Sequence, residues 1–333
     1  MKKEKVLLVG GAGYVGRHIA LELRDASYSV CILDNLSTGT NEYLEADRLM
    51  VADILEVPFE EVKEECGSVR AVIHLAALTD AGASVDDPVG YFELNTIGAI
   101  RAVCLAHHLG ADAFILSSTA AVYGDAKRYP IEEDDPKRPS NPYGASKRAA
   151  EVGVNQLCAQ YGISCGILRY FNVAGCDPDG RTGDMRPKGD TLMHKLIEAA
   201  ESGADGVVRI YGDDYDTRDG SAERDFVHVM DVASAHRLII NELISNRRKS
   251  LVGNVGYGKS TSVKAGVHAF LDVLAPDRIS RVEYHSRRAG DIAVSYASNR
   301  ALKALGWKPK YDDITDMIRD TMTWRRKVSP GDP

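Results

Sequence analysis

Hydrophobic and polar positions alternate in blocks along the first half of the chain. Val6–Val9, Tyr28–Leu33, Leu49–Ala52, Ala71–Leu75 and Ala113–Leu116 are short apolar runs. They are apolar on both faces rather than alternating, which predicts strands of a parallel sheet covered by helices on each side. Helical periodicity fills most of the gaps, clearest over Tyr14–Arg24. Repeated β-α units of this kind predict an α/β fold with a Rossmann-type doubly wound parallel sheet. The second half is less regular. Positions 176–190 hold many Gly, Pro, Asp and Arg, and 212–224 are polar, so both predict loops. Helices are predicted over Thr191–Ser202, Val229–Leu243, Ser262–Leu274 and Ile314–Arg326. The pattern implies a smaller mixed α/β lobe over the sheet's C-terminal edge, its segments interleaved through the second half. Repeats, linkers and low-complexity tracts are not evident.

Composition narrows the function classes. The 333 residues are 44% hydrophobic, too apolar for a disordered chain. Lys+Arg minus Asp+Glu is 41 − 48 = −7, which argues against a nucleic-acid binder while leaving a local basic patch open. The six cysteines are irregularly spaced and form no C-x-x-C pair, as expected of reduced thiols in a cytoplasmic enzyme. The apolar run after the charged N-terminus is too short for a signal peptide, and nothing approaches the ~18 apolar residues of a membrane span. His107-His108 read as a helix end, Glu132–Asp135 as a solvated loop and His228 as a packing residue. No metal site is expected.

The chemistry begins at Gly10-Gly11-Ala12-Gly13-Tyr14-Val15-Gly16, between the first strand and first helix. Gly10 permits a tight turn, Gly13 lets backbone N–H groups approach a pyrophosphate, and Gly16 lets the helix pack on the strand. A glycine-rich structural turn is the plain alternative, but strand before and helix after is the context a dinucleotide requires. Asp34 ends the second strand, 18 residues beyond Gly16. A carboxylate there accepts hydrogen bonds from ribose hydroxyls and repels a 2′-phosphate, and no Arg in Asn35–Thr38 offsets that repulsion. NAD is therefore favoured over NADP. Asp53 fits an adenine contact and a turn residue equally well.

Tyr143 and Lys147 lie four residues apart, on one face of a helix. A free tyrosine, with a pKa of ~10, is a poor base at neutral pH, and a nearby ammonium together with a cationic nicotinamide lowers that value. In isolation the pair reads equally as a surface feature. Ser117-Ser118-Thr119 follow the fifth strand directly and so reach the sheet edge where ligands bind. Ser117 and Ser118 fit turn caps as well, and Thr119 is the preferred substrate contact.

These stretches, in this order, resemble the extended short-chain dehydrogenase/reductases and, within them, the UDP-glucose (UDP-galactose) 4-epimerases. Further matches are Asp34–Gly39, Ser117–Gly124, Tyr143–Lys147, Leu168–Gly175, Tyr211–Tyr215, Arg224–Asp231 and Arg287–Asp291. The resemblance implies retained NAD and a transient 4-keto sugar: Tyr143 takes the 4-hydroxyl proton as C4 gives hydride to NAD, and hydride returns to the other face. Thr119 would assist, and Lys147 would hold the nicotinamide ribose and tune Tyr143. It implies NAD contacts from Gly10, Gly13, Tyr14, Val15, Gly16, Asp34, Asn35, Ser37, Thr38, Gly39, Asp53, Ile54, Leu75, Ala76, Ala77, Thr79, Asn95, Ser117, Tyr143, Lys147 and Tyr170. It implies UDP-sugar contacts from Thr119, Tyr143, Phe171, Asn172, Thr191, Leu192, Tyr211, Arg224, Arg288, Asp291 and Ser295. Arg224 also fits an ion pair with Asp225, and Arg288 a solvated basic turn. The resemblance divides the chain into an NAD-binding domain, 1–175 plus about 225–256, and a UDP-sugar lobe, 176–224 and about 257–333. It further implies a homodimer built on Leu94, Ile97, Ile100 and Val103 with Val152, Val154 and Leu157.

Three positions depart from the family pattern. Thr79 stands where many members place a Lys, Thr191 where an Asn or His is common, and His194 where a Pro is common. Related dehydratases carry an Asp-Glu pair directly after the Thr; here Ala120 and Ala121 stand there, and alanine does no acid–base work. Tyr170–Gly175 differ from uronate-handling relatives. At Ser295 a Tyr would narrow the sugar pocket, so room for N-acetyl sugars is expected unless Tyr296 fills the space. A UDP-pentose substrate and a silent NAD-binding sensor stay open as alternatives.

Overall fold

The computed structural model describes residues 3–186, 189, 191–202, 205–245, 249–273, 281–288 and 291–328. Strands β1 (Lys5–Val9), β2 (Ser29–Asp34), β3 (Arg48–Val51), β4 (Ala71–His74), β5 (Ala113–Thr119) and β6 (Ser164–Tyr170) join Ser250–Val255 in a seven-stranded parallel sheet. From one edge the order is Ser250–Val255, β6, β5, β4, β1, β2, β3. The chain leaves β1 in one direction and returns to β4 on its other side. A crevice therefore opens beyond the C-terminal ends of β1 and β4.

All five predicted runs are strands, with ends displaced by no more than three residues; β5 runs on to Thr119 and carries that side chain to the crevice. Period-two geometry sends Val6, Leu8, Ile32, Ile73 and Ile115 to one face, and Leu7, Val9, Leu33, Val72, Phe114 and Leu116 to the other. The first set packs on Ile19 and Leu23 of the helix Tyr14–Asp25 and on Ile239 and Ile240 of Val229–Ile244. The second packs on Val62, Ala102, Val103 and Val154. The pattern alone did not single out β6 or Ser250–Val255, because Ser164, Gly166, Gly253 and Asn254 interrupt their apolar runs.

The smaller lobe is built from short pieces. Val207–Tyr211 pairs with Arg281–His285, and Asn172–Ala174 pairs with Phe226–His228. Glu223–Arg224 lies between Thr261–Ser262 and Val294–Ser295, so the end of the predicted 212–224 loop is a strand. The helices Leu192–Glu201, Val263–Val273 and Ile314–Val328 follow the predicted positions closely. Ser262 belongs to a strand rather than to the helix expected there; Leu274 lies outside the described residues, as do Pro187, Lys188 and Asp190 of the expected 176–190 loop. The apolar cluster on the first sheet face continues into this lobe through Met193, Leu196, Val208, Ile210, Phe270 and Met317. Among the described residues no helix is long and apolar enough to cross a membrane.

Candidate active site

The first helix starts against a loop whose glycines answer three different steric demands. Gly10 has φ +82°, and a Cβ on it would lie 2.3 Å from the Ala76 nitrogen. A Cβ on Gly16 would lie 2.6 Å from the Gly10 carbonyl, so helix and strand meet only because it is absent. Gly13 is different: a Cβ there would meet only the Gly10 oxygen, at 3.6 Å, and its backbone opens on a cavity of about 480 Å³. Asp34 ends β2 beside this loop. Its carboxylate accepts from the Ala12 and Leu36 backbone N–H groups at 2.9 and 2.8 Å, which ties β2 to the glycine turn. The Asn35 amide donates to Asp53 at 3.0 Å, and Asp53 also caps its own turn through Leu55 N–H.

The cavity is lined by Gly10, Gly13, Tyr14, Val15, Gly16, Asp34, Asn35, Ser37, Thr38, Asp53, Ile54, Leu75, Ala76, Ala77, Thr79, Ser117, Tyr143, Lys147 and Tyr170. All of these were read from the sequence as cofactor contacts. Two others stand elsewhere. Asn95 is fully buried, and its amide is spent on the Leu78 backbone and Ser146 Oγ at 2.9–3.0 Å. It braces the 75–79 loop against the Tyr143 helix and lines neither the first cavity nor its neighbour. Gly39 also stays off the cavity wall. A Cβ there would press 2.7 Å from Ala12, so its bareness lets the 36–40 loop close on the glycine turn.

The Tyr143 helix (Pro142–Tyr161) is started by Asn141, whose Oδ1 accepts from Gly144 N–H at 2.9 Å. A Cβ on Gly144 would lie 2.5 Å from the Ala121 carbonyl. That close approach sets Tyr143 beside Thr119, which hydrogen-bonds its phenol. Burial pushes the phenol above its ordinary pKa, and the Thr119 bond opposes it. The lowering expected from Lys147 is thus not exerted in the protein alone. Burial brings the Lys147 ammonium down to about 8, with Glu151 one turn further opposing the fall.

Glu151 anchors a buried network behind these residues. Arg169 grips it bidentately at 2.8 Å, and Ser118 Oγ donates to it at 2.7 Å. Arg169 also donates to Tyr123 OH and to the Glu133 carbonyl, and the Glu133 carboxylate accepts from Asn254 N–H. Asp135 is buried and paired with Arg128 at 2.6 Å. The 132–135 acidic run is therefore partly folded inward, not the solvated loop expected. Ser117 is 2.7 Å from the Tyr170 hydroxyl, which lies 2.6 Å from His236 Nε2. His228 is buried against Asp320, the packing role expected.

A second cavity, of about 440 Å³, adjoins the first and shares Tyr14, Val15, Thr79, Ser118, Tyr143, Tyr170 and Arg186 with it. Its walls include Thr119, Phe171, Asn172, Thr191, Leu192, Arg224, Arg288, Asp291 and Ser295, ten of the eleven expected substrate contacts when Tyr143 is counted. The eleventh, Tyr211, lies beneath the Arg288 guanidinium at 3.9 Å and supports it from outside the wall. Arg224 pairs with Asp291 at 3.8 Å, not with Asp225, whose carboxylate accepts from Tyr257, Gly258 and Ala297 N–H. Thr191 caps its helix through His194 N–H. Of the Arg287–Asp291 stretch, Ala289 and Gly290 lie outside the described residues.

Sequence reasoning missed Arg186, which lines both cavities from within the 176–190 loop, and Glu151, which lines neither. Arg186 had no motif around it. Glu151 stands four residues after Lys147, on the face of the helix that carries Tyr143. Of the residues expected at a dimer face, Ile97 and Val152 are half-exposed, whereas Val103 and Val154 belong to the core and Leu94 lines the first cavity. Val85, Val89 and Phe92 add exposed apolar surface that was not foreseen.

The model of the NAD dependent epimerase/dehydratase family matches residues 6–256. The chain belongs to this family. Relatives resemble it along nearly its whole length. The UDP-glucose 4-epimerase of Rhizobium meliloti (strain 1021) is 35% identical over 332 residues, covering 99% of this chain and 100% of that one. A Stenotrophomonas maltophila UDP-glucose-4-epimerase, solved with NAD and formylated UDP-arabinopyranose, superposes with a TM-score of 0.90 at 35% identity, over 98% of this chain and 99% of the other. The UDP-Glc/GlcNAc 4-epimerase of Campylobacter jejuni gives 0.79 at 34% identity, over 97% and 99%. The family fits the site: the bare Gly13 backbone, the Asp34 carboxylate and the adjoining cavity suit a dinucleotide.

Proposed function

We propose that the protein interconverts the C4 epimers of a UDP-hexose, UDP-glucose and UDP-galactose, using retained NAD. The observation that carries this reading is that the two cavities meet at Tyr143. NAD, when bound along the glycine turn, supplies reversible hydride exchange with a sugar carbon. Tyr143, hydrogen-bonded by Thr119, takes and returns the proton of the hydroxyl on that carbon. Lys147, one turn further along the same helix, would hold the nicotinamide ribose, and the cationic nicotinamide together with this ammonium would favour the phenolate once NAD is bound. Arg224 and Arg288 supply fork-shaped donors for a pyrophosphate. Asn172, Leu192 and Phe171 enclose the remainder of the nucleotide sugar.

Epimerisation is favoured over dehydration within the family because Ala120 and Ala121 line the second cavity where an acid and a base would be needed. A silent NAD-binding role is disfavoured by the presence of Tyr143, Lys147 and Thr119 together. Acceptance of UDP-GlcNAc has its own support. Ser295 lines the cavity, and Tyr296 is stacked on Tyr129 at 5.5 Å instead of filling the space. A UDP-pentose would fit the same walls, since it needs no room for C6. The NAD lobe comprises 1–175 with about 225–256, and the remainder holds the nucleotide sugar. The exposed apolar side chains Val85, Val89, Phe92, Ile97 and Val152 support a homodimer, and the reaction suits a cytoplasmic role in galactose metabolism.

The test is incubation of the purified protein with UDP-galactose, UDP-GlcNAc and a UDP-pentose, with no added NAD. Appearance of the C4 epimer of UDP-galactose is expected. Tightly bound NAD without turnover of any of them would overturn the reading in favour of a binding protein.

A further inference from the structure

A dinucleotide pyrophosphate carries two negative charges, and the walls of the first cavity are rich in acid: Asp34, Asp53 and Asp80 all line it. Among its described lining residues the basic side chains are Lys147 and Arg186. Lys147 lies on the helix face that carries Tyr143, at the reacting end. Arg186 lies at the glycine end, its guanidinium carbon 5.1 Å from the centre of the Tyr14 ring, and Tyr14 is the residue directly after Gly13. The side chain is 22% exposed and is held in place. Asp184 accepts from its Nε at 2.9 Å and its Nη2 at 2.5 Å, and from its backbone N–H at 3.0 Å. Asp184 is itself fixed: its side chain is 15% exposed, and Arg186 and His194 hold its carboxyl well below the usual carboxylate range against the effect of desolvation. A guanidinium has five N–H donors, and the Asp184 pair engages two of its three nitrogens. The remainder can serve a second anion without breaking that pair.

We propose that Arg186 is a binding residue for the NAD pyrophosphate, completing a cradle whose other half is the backbone of Gly13–Val15. This rests on the reading of the first cavity as the NAD site. Asp184, His194 and the Tyr14 ring are its positioning groups. Thr79 lines both cavities, as Arg186 does, so Thr79→Lys places a cation on the same two walls.

The experiment compares wild type with Arg186→Ala, Arg186→Lys, Arg186→Ala/Thr79→Lys and the pair Asp184→Asn/Arg186→Met, which leaves no unpaired carboxylate. Each is stripped of nucleotide, checked for folding by circular dichroism, and titrated calorimetrically with NAD, ADP-ribose, adenosine and UDP. A charge-assisted bond is worth roughly 1.5–3 kcal/mol, so NAD and ADP-ribose should bind at least about tenfold more weakly to Arg186→Ala and to the double charge variant. Adenosine and UDP should stay within about twofold. Arg186→Lys should lose less than Arg186→Ala, and Thr79→Lys should recover part of the loss. Unchanged NAD affinity in a folded Arg186→Ala overturns the proposal. So does equal weakening of adenosine, which marks structural damage, or a loss confined to UDP, which assigns Arg186 to the other nucleotide. Wild type that binds no NAD refutes the cofactor reading itself, a result that no variant is needed to see.

Discussion

Glu151 links the stability of the Tyr143 helix to its chemistry, and one substitution separates the two effects. Its carboxylate is 1% exposed and is gripped by Arg169, itself 3% exposed, with Ser118 and Arg148 also donating. Glu151→Ala leaves a buried guanidinium with only Tyr123 OH and the Glu133 carbonyl as partners. Removing one partner of a buried pair costs about 3–5 kcal/mol, whereas replacing both with apolar side chains is often near neutral. Ser118 and Tyr123 would each lose one partner in the double replacement, at about 1–3 kcal/mol apiece, which offsets part of that gain. Glu151→Leu/Arg169→Met should therefore be less destabilised than the sum of the two single variants by about 2 kcal/mol or more, well above the ~0.5 kcal/mol scatter of additive sites. Urea unfolding followed by circular dichroism, with unchanged m-values, measures it. Strictly additive costs would show that the pair is not coupled and refute the argument. Glu151→Gln addresses the chemistry. Glu151 supports the charged form of Lys147, whose pKa is about 8. Losing that anion lowers the lysine pKa further, so the window in which Lys147 is charged ends at lower pH. The alkaline limb of kcat should move down; a limb that stays put or moves up removes Glu151 from the tuning of Lys147.

Tyr143→Phe should cut turnover by roughly 10²–10⁴-fold while leaving NAD bound, read by steady-state kinetics and by acid release of the nucleotide; near-normal epimerisation would end the role assigned to Tyr143. Gly10→Ala forces a Cβ into φ +82° and to 2.3 Å from Ala76 N, so the purified variant should carry little NAD and unfold at lower urea than wild type. Ser295→Tyr should lower kcat/KM for UDP-GlcNAc by tenfold or more while sparing UDP-galactose; the same ratio of the two substrates in both proteins would sink the argument from pocket room.

The sheet from β1 to β5 was legible because it is written locally: each of those strands is a short apolar run, and each glycine of the dinucleotide turn has a steric reason visible in its order. The residues around Tyr143 were legible as motifs, and the two cavities gather nearly all of them. What failed to show has physical causes. Arg186 acts from a loop without periodicity, where nothing local marks which of several arginines turns inward. Asn95 lies off the cavity wall because its amide is consumed by backbone, that of Leu78. Val103 and Val154, named with the dimer face on the resemblance, pack in the core, because an apolar helix stripe does not say whether it meets the sheet or a partner. Tyr211 was close to the right place but one layer behind it, a distinction that only packing under Arg288 reveals.

The apolar cluster that runs from the sheet face through Leu196, Val208 and Phe270 bears on how such a chain can diversify. A lobe that shares its interior with the sheet cannot be exchanged as a cassette, because cutting it away would bare the sheet's own face to water. New substrates must therefore arise by replacing single side chains on the cavity wall, Ser295 and Thr191 among them, while the scaffold beneath stays put. The economy of that arrangement is that the reacting hydroxyl and the nucleotide clamp keep a fixed spacing through every such change.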